Sequence, residues 1–481
     1  MSVINTNVSS LIAVSTLNKN NNALQQSLQR LSTGYRINSG KDDPAGLIAS
    51  ESLKAEQAAT TTAISNAQRA DNIIGTAEGS LGEVSNLLVS LQSLVGTAAN
   101  KAGLSQDEKD ANQLQVDSIL STINRISNSA SFEGTKLLNG TFDYTTSGLS
   151  TASAFTSVSI NSAKIGGATL SVSVAVIQSA QTGTLNFAGS STGLNGAASI
   201  SIAGNTGTVQ LSFASSTKSS AIVASVNQFK DSSGVQATLS TDNKSVVFSS
   251  TGYGASQFVS ISSNNASSFS TKDTSGVTNT TDYGRNATVS VNGTAVQSDG
   301  LNVKVVNANL EADFTLNSDI NTNGASKTFG ITGGGATFSL GAQVNLANQA
   351  SIGLGNVNSS SIGKYVQNGT VYTLSDLGSG KAAAVNNGDT TLAQNIVNQA
   401  IKNVAGLRGR LGAFQKNTLG STINSLNVAL ENVQSAGSAI RDTDFATETA
   451  NLTRSQILVQ SATSVLQQAN QSPQSVLKLL A

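Results

Sequence analysis

The stretch that decides the fold covers residues 63–102 and reads AISNAQRADNIIGTAEGSLGEVSNLLVSLQSLVGTAANKA. Its apolar residues recur at alternating steps of four and three without a break: Ala63, Ala67, Ala70, Ile74, Ala77, Leu81, Val84, Leu88, Leu91, Val95, Ala98 and Ala102. This heptad spacing predicts one continuous apolar seam on a long helix. A helix from about Ala45 to about Gly103 would extend roughly 85 Å at 1.5 Å per residue, far beyond an ordinary globular helix. Such a rod needs partner helices along its length.

A second apolar seam lies near the other end of the chain. It comprises Leu392, Ile396, Ala400, Val404, Leu407, Leu411 and Phe414. It resumes one residue out of register at Leu419 and continues through Ile423, Leu426, Leu430, Val433 and Ile440. Because each seam needs an apolar partner, we expect the two ends of the chain to pack against each other.

The middle of the chain has a different composition. From about Asn161 to about Ala384 the helical period disappears, and Ser, Thr, Gly, Asn and Val alternate with period two, as in Thr169–Val176 and Ala287–Val291. This pattern is typical of half-buried strands. The predicted fold class is therefore a discontinuous α+β fold, in which a long helical coiled-coil or bundle rod formed by both chain ends brackets a β-rich variable insertion.

The composition changes predict nested, discontinuous domains, and the chain length of 481 residues suits two to four of them. Residues 1–44 and 446–481 would be the two halves of a terminal coil domain. Residues 45–160 and 385–445 would be the two halves of a helical core domain. Residues 161–384 would form the β-rich outer region, and the sequence leaves open whether this is one domain or two.

Residue usage argues against catalysis. The chain contains no His, no Cys and no Trp, and only two Pro. It therefore lacks an imidazole base, a thiolate nucleophile and the usual zinc ligand set. An enzyme would have to rely on Ser, Lys, Asp, Glu or Tyr alone. We predict that the protein is not an enzyme and has no catalytic residue, cofactor or metal site.

Charge and hydropathy exclude several partners. The 27 basic and 27 acidic side chains balance, and no segment has clustered Lys and Arg, which argues against a nucleic-acid or anionic-membrane partner. The first twenty residues lack a basic region followed by an apolar core, and no stretch reaches about 18 apolar residues. We therefore expect neither classical secretion nor membrane insertion.

Four motifs resemble those of a known family. They read LSTGYRINSGKDDPAGLIAS at residues 31–50, SFEGTKLLNG at 131–140, GLRGRLGAFQKN at 406–417 and RDTDFATE at 441–448. Together with the closing segment Gln456–Leu480 they strongly resemble bacterial flagellin. In the middle, residues 198–263 resemble, more weakly, the module inserted in many flagellins, with a helix around Ala221–Phe229 and a strand pair over Val235–Ser249.

The resemblance implies a structural subunit that polymerises into the extracellular helical filament of the bacterial flagellum, for swimming motility. Export would use the flagellar type III apparatus. The implied partners are further copies of the chain, an export chaperone, the filament cap and the hook-filament junction proteins. The terminal coils would line the inner tube of the filament, the heptad domain would surround them, and the β-rich middle would face outward.

The termini carry apolar seams for which no monomer core is obvious. We expect these residues to form a polymerisation interface: Ile4, Val8, Leu11, Leu17, Leu24, Leu28, Leu31, Leu452, Leu458, Val459 and Leu466. Two isolated helices bury too little apolar surface to offset the chain entropy. We therefore predict that both termini are disordered in the monomer and become ordered on assembly.

A connector precedes the long helix. Gly34 and Gly40 loosen residues 34–43, and the Asp42-Asp43-Pro44 sequence predicts a capped helix start near Pro44. Charged residues near the connector and in the C-terminal motifs are candidate contacts between subunits, with helix caps or solvated groups as the alternative: Arg36, Asp42, Asp43, Arg408, Arg410 and Arg441.

Two other functional classes remain open on the sequence. A hook-filament junction protein of the same superfamily would also have helical ends, although the dense C-terminal match favours a flagellin. A displayed enzyme or adhesin would have to reside in the β-rich middle.

One further departure concerns Ser90 and Ser93, which replace an Arg and a Glu of receptor-activating flagellins. We predict a weak agonist of the vertebrate flagellin-sensing innate receptor.

Overall fold

The computed structural model describes residues 6–100, 103–149, 154–167, 169–190, 192–241, 244–367 and 370–480. It divides into two compact units, which we treat separately. The first comprises the chain up to Asn72, the segment Ser339–Asn348, and the chain from Ala413 onward. The second comprises Ile73–Phe338 and Gln349–Gly412.

Helices form both ends of the chain. The α-helices are α1 (Val8–Thr33), α2 (Pro44–Ala98), α3 (Gln106–Ser129), α4 (Ser219–Gln228), α5 (Lys230–Ser233), α6 (Thr390–Ala413), α7 (Ser421–Arg441) and α8 (Phe445–Leu480). A π-helix, Phe414–Gly420, joins α6 to α7, and short 3-10 helices cover Leu346–Asn348 and Leu374–Leu377.

The heptad seam lies on a single helix of 55 residues. Every seam residue from Ala63 to Ala98 is at most 2% exposed, which confirms the sequence prediction, while Ala102 lies outside the described residues. The helix begins at Pro44, as predicted, because the Asp43 carboxylate accepts a hydrogen bond from the Gly46 N–H at 2.9 Å. It ends at Ala98, somewhat before the expected Gly103.

The register shift in the C-terminal seam coincides with the π-helix. Phe414 and Leu419 are five residues apart, whereas the other steps of the seam are three or four residues, or a full heptad from Val433 to Ile440. A π-helix makes i to i+5 hydrogen bonds and so accommodates one extra residue per turn. Leu411 before it and Leu419 within it are both fully buried. The insertion is therefore absorbed locally, but the seam residues that follow on α7 are only half-buried.

Helix α3 was not separately predicted. Its first turn carries a capping box, in which Ser105 and Glu108 each satisfy the other's backbone N–H. Val116, Leu120 and Ile123 are buried along one face. Gln113, 2% exposed, accepts a hydrogen bond from the Val385 N–H and donates one to the Leu377 carbonyl.

Strands occupy the middle of the chain. They are β1 (Ser131–Phe132), β2 (Thr135–Lys136), β3 (Thr145–Ser147), β4 (Phe155–Ala163), β5 (Leu170–Gln178), β6 (Thr184–Phe187), β7 (Ala198–Ala203), β8 (Thr208–Phe213), β9 (Val235–Leu239), β10 (Val246–Ser250), β11 (Phe258–Ser263), β12 (Thr271–Lys272), β13 (Thr281–Tyr283), β14 (Thr288–Val291), β15 (Thr294–Val296), β16 (Ser298–Asp299), β17 (Asn302–Val306), β18 (Leu310–Leu316), β19 (Ser326–Gly333), β20 (Ala336–Ser339), β21 (Gln349–Ile352), β22 (Tyr365–Gln367) and β23 (Thr370–Tyr372). The larger sheets thus begin at Thr145, ahead of the Asn161 at which the composition changes, and β4 already contains Asn161.

The first outer core is a β-sandwich. A five-stranded sheet in the order β15-β14-β5-β19-β3 faces a four-stranded sheet in the order β16-β17-β18-β4, with antiparallel pairing throughout. Strand β18 alternates buried and half-buried residues from Leu310 to Leu316, as period-two patterning requires. Phe314 and Phe329 are the largest fully buried side chains in this core.

A second outer core interrupts the first between β5 and β14. It contains the sheets β12-β6-β10-β9 and β13-β11-β7-β8 together with α4, and Phe187 stacks on Phe269 at a centroid distance of 4.1 Å. The helix and the strand pair expected here are present as α4, β9 and β10. Gln181 and Arg285 exchange two backbone hydrogen bonds of 2.8 and 2.9 Å. The chain therefore enters and leaves this second core at adjacent points.

Candidate functional site

The terminal helices α1 and α8 pair antiparallel within the first unit. The Asn7 side-chain amide donates a hydrogen bond to the Ala469 carbonyl at 2.8 Å near one end of the pair. At the other end Arg30 lies 3.6 Å from Glu448, whose side chain is 7% exposed. The two helices thus contact each other along most of their length, through polar groups at both ends.

The fully buried residues of these two helices are small, apart from one glutamate. The buried residues of the pair are Ala13, Ser27, Glu448, Ser455 and Ala462. The larger apolar residues that the structure describes on both helices are at most half-buried. The pair therefore leaves an apolar surface without cover.

The predicted interface residues divide into two groups. Four are exposed: Val8 at 57%, Leu11 at 62%, Leu28 at 50% and Leu458 at 44%. The other described members are half-buried: Leu17, Leu24, Leu31, Leu452, Val459 and Leu466. Ile4 lies outside the described residues.

Further exposed apolar residues widen this surface. They are Ile12, Phe445, Ile457 and Val465, each 57% to 62% exposed. Sequence reasoning missed them because it followed one seam per helix. The doublets Leu11-Ile12 and Ile457-Leu458 were the available signal, since adjacent apolar residues point about 100° apart on a helix and indicate a second apolar face. We call the exposed residues of α1 and α8 the coil surface.

The connector pairs with the chain between α7 and α8. The Arg36 N–H donates to the Arg441 carbonyl at 2.7 Å, and the Thr443 N–H donates to the Gly34 carbonyl at 3.0 Å. Tyr35 and Asp442 form an antiparallel bridge between these bonds. We call this pairing of residues 34–36 with 441–443 the clasp.

Side chains reinforce the clasp. The Arg441 guanidinium stacks over the Tyr35 ring, 4.1 Å from its centroid. The Arg36 guanidinium donates to the Ile440 carbonyl at 2.5 Å. Gly34, with φ of 76°, ends α1 in the left-handed conformation and donates its N–H to the Arg30 carbonyl. Cation, aromatic ring and glycine therefore hold the connector against the end of α7.

The two aspartates of the connector act as caps. Asp42 accepts hydrogen bonds from the Ser39 N–H and hydroxyl, the Asn38 N–H and the Gln26 amide. The backbone hydrogen bond from Ser39 is the largest cause of its lowered pKa. Asp43 caps α2 and lies 3.9 Å from Arg36, an exposed pair of small energetic value.

Arg408 and Arg410 belong to the second unit, whereas the clasp belongs to the first. Arg408 donates from Nε and Nη2 to Glu78 Oε1 at 3.0 and 2.7 Å, with both side chains about one third exposed. Arg410 donates to the side-chain oxygen of Asn161. Asn161 in turn donates to Asp313 at 2.8 Å.

Arg410 is half-buried and feels the charges of three carboxylates. Burial is the largest cause of its lowered pKa, and the charges of Glu311, Asp313 and Asp143 oppose that shift. Burial also raises the pKa of the Asp143 carboxyl above its ordinary value, against the effect of its hydrogen bond from the Tyr144 N–H and of Arg410. Arg410 and Asp143 are therefore two described residues whose pKa values are shifted mainly by burial.

Within the described residues, no group of three or more acidic side chains is arranged to hold a metal ion. The described helices include none that is long and apolar enough to cross a membrane. The surfaces that stand out are the coil surface and the clasp.

Family models match both ends of the chain. The bacterial flagellin N-terminal helical region matches residues 4–143, and the bacterial flagellin C-terminal helical region matches residues 394–480. Flagellin D of Vibrio anguillarum is 30% identical over 477 residues, covering 99% of each chain. The chain belongs to the flagellin family. The flagellin of Salmonella typhimurium strain LT2 is 31% identical over 520 residues, again covering 99% of each chain.

Flagellins are the structural subunits of the flagellar filament, and the two flagellin helical regions contain the coil surface and the clasp. The flagellin hook IN motif matches residues 199–251, which hold β7 to β10 and α4. Among solved structures, FliC from Burkholderia pseudomallei is 15% identical, with 72% of this chain and 98% of that chain covered and a TM-score of 0.23. That score is too low to bear on the architecture.

Proposed function

We propose that this flagellin builds an extracellular flagellar filament and that burial of the coil surface drives its polymerisation. The observation that carries the proposal is the set of apolar side chains that α1 and α8 leave exposed. Burying a Leu or Ile that is about 60% exposed contributes about 1–2 kcal/mol. Several such residues on one helix pair supply enough free energy to hold subunits together.

The same surface supports coupled folding and assembly. The pair buries fully only Ala, Ser and one Glu and leaves its seam residues half-buried or exposed, so it gains only part of the available hydrophobic stabilisation in isolation. Helices of this kind are marginal in water without tertiary packing. We therefore propose that both termini order when subunits add to the filament, which also suits export of an unfolded chain.

The polymer is an open helix of identical subunits. Contacts between two different surfaces of one molecule propagate without limit when the rotation does not close a ring. Matches to proteins named flagellin over nearly the whole chain favour the filament subunit over a junction protein. We propose no catalytic activity, and as partners an export chaperone, the filament cap and the junction proteins.

Seeded polymerisation of the purified full-length chain tests this function. We expect Leu11→Asp and Leu458→Asp each to raise the critical concentration at least about ten-fold, since a charge is then buried in the interface. Gln25→Asp is the matched control, because Gln25 is an exposed polar residue of α1. Electron microscopy should show filaments from the native chain and the control. Filaments from the two variants at the native critical concentration would contradict the proposal.

A further inference from the structure

A groove opens in the first unit beside the clasp. It lies between the second to fourth turns of α2 and the last turns of α7, and its volume is about 240 Å³. Leu53 and Val433 line its apolar part, and Tyr35, Lys54, Arg441 and Asp442 line its polar part. Pockets for small ligands are usually larger, at about 300–1,000 Å³, so the groove suits the side chains of a protein segment.

The groove has a positive charge that the described residues do not neutralise. Lys54 is exposed, and no described carboxylate lies within ion-pair distance of it. Arg441 is stacked on Tyr35, and its buried Nε has no hydrogen-bond partner among the described residues. The one carboxylate of the lining, Asp442, accepts a hydrogen bond from Ser438 at 2.5 Å. Lys54 and Arg441 outnumber Asp442 in the lining, so the groove is suited to an incoming carboxylate.

The same chain carries a complementary segment. Asp107, Glu108 and Asp110 place three carboxylates in four residues, more than any other four-residue window of the sequence. Asp107 and Glu108 lie in the first turn of α3 and Asp110 follows directly, and all three are exposed. Glu108 is held by Ser105 and Asp110 by Asn386, whereas Asp107 has no hydrogen bond or ion pair among the described residues. Asp107 is thus the carboxylate with the most freedom to bind elsewhere.

We propose that the groove of one subunit binds the first turn of α3 of a second copy, with Asp107 facing Lys54 and Arg441. The inference rests on the proposed filament function, because an open polymer requires two different surfaces that fit each other. Opposite charges on these two surfaces favour the correct pairing during subunit addition. The contact would add to the coil surface and set the axial register of neighbouring subunits.

A charge exchange tests the pairing. We expect Lys54→Glu and Asp107→Lys each to raise the critical concentration for seeded polymerisation about two- to five-fold, as for partly exposed ion pairs. The double variant should return toward the native value, because it restores opposite charges. Lys402→Glu and Asp231→Lys are matched controls at exposed positions. Equal behaviour of test and control variants, or an additive loss in the double variant, would overturn the inference.

A cross-link locates the contact independently of affinity. The chain has no Cys, so Lys54→Cys combined with Asp107→Cys gives two unique thiols. In assembled filaments a short bis-maleimide should link them between subunits into a ladder on a denaturing gel. Lys402→Cys with Asp107→Cys is the control pair and should give none. Filaments without a ladder reject the groove contact alone, whereas absence of filaments from the native chain rejects the proposed function.

Discussion

The Arg410 guanidinium donates a hydrogen bond to the side chain of Asn161, 249 positions away, and so ties helix α6 to the β4 strand of the outer sandwich. Asn161 is only 4% exposed, and its side-chain amide donates a hydrogen bond to Asp313. Removing Arg410 or Asn161 leaves the hydrogen-bonding group of the other without this partner.

We expect Arg410→Ala and Asn161→Ala each to destabilise the protein by about 1–3 kcal/mol. Calorimetric unfolding of the monomer measures both. Arg408→Ala is the control, since its partly exposed pair with Glu78 is worth about 1 kcal/mol or less. An Arg410→Ala variant that unfolds like the Arg408→Ala variant would show that the buried network does not stabilise the fold.

Asp143 makes stability depend on pH in a definite direction. Its folded pKa lies above the ordinary value of 3.8 because the carboxyl is buried. The stabilisation of the folded state by Asp143 is therefore fully present below pH 3.8. It is lost as the pH rises through the pKa of Asp143 in the folded protein. Asp143→Asn should raise the melting temperature at pH 7 and leave it unchanged near pH 3.5. A variant less stable than the native chain at pH 7 would mean that attraction to Arg410 outweighs burial.

Gly34 tests the backbone conformation of the clasp. An added Cβ would meet only Phe445, at 4.0 Å, so there is room for Ala, but φ is 76°. We expect Gly34→Ala to destabilise the clasp by about 1–2 kcal/mol through the left-handed conformation alone. Gly406→Ala, in an open helical position, should be neutral or slightly stabilising. Limited proteolysis within residues 34–43 reports on the clasp, and unchanged cleavage would argue against this strain.

The π-helix predicts an unusual tolerance to deletion. Removing Asn417 shortens the step from Phe414 to the next seam leucine from five residues to four, which an α-helix continues in register. We expect this deletion to cost less than about 1 kcal/mol in stability. Deletion of Asn427, within regular helix, rotates the rest of α7 by about 100° and should cost several times more. Equal thermal destabilisation by the two deletions would show that the π-turn is required for packing.

An assay of receptor activation tests the effect of Ser90 and Ser93, which stand where receptor-activating flagellins have an Arg and a Glu. Both serines are exposed on α2 beside Val89, which is 57% exposed. Neither can supply the charged contacts of an Arg and a Glu. Native monomer should be a weak agonist in a reporter assay, and Ser90→Arg with Ser93→Glu should increase its potency. Full potency of the native monomer would contradict the prediction.

The sequence predicted the elements whose periodicity is local. The seam from Ala63 to Ala98, the start of α2 at Pro44 and the strand pair after α4 follow from residue spacing and capping chemistry. The same spacing showed a register shift after Phe414, although not that a π-helix would absorb it.

Contacts between distant segments were not predictable. The clasp joins Arg36 to Arg441 through backbone groups, which carry no sequence signal. Arg408 and Arg410 have similar neighbours in sequence. Arg410 nevertheless donates a hydrogen bond to Asn161, whereas Arg408 forms a partly exposed pair with Glu78. Which large residues of α1 stay uncovered depends on the small residues that α8 places opposite them, and one helix alone cannot show this.

The chain enters and leaves the second outer core at Gln181 and Arg285, which are held together as neighbours on adjacent strands, about 5 Å apart. A segment with such adjacent ends can be exchanged as a unit, because the sandwich is joined to it at the same two points whatever lies between them. Foreign domains with neighbouring termini should therefore replace residues 182–284 without altering the packing that builds the polymer.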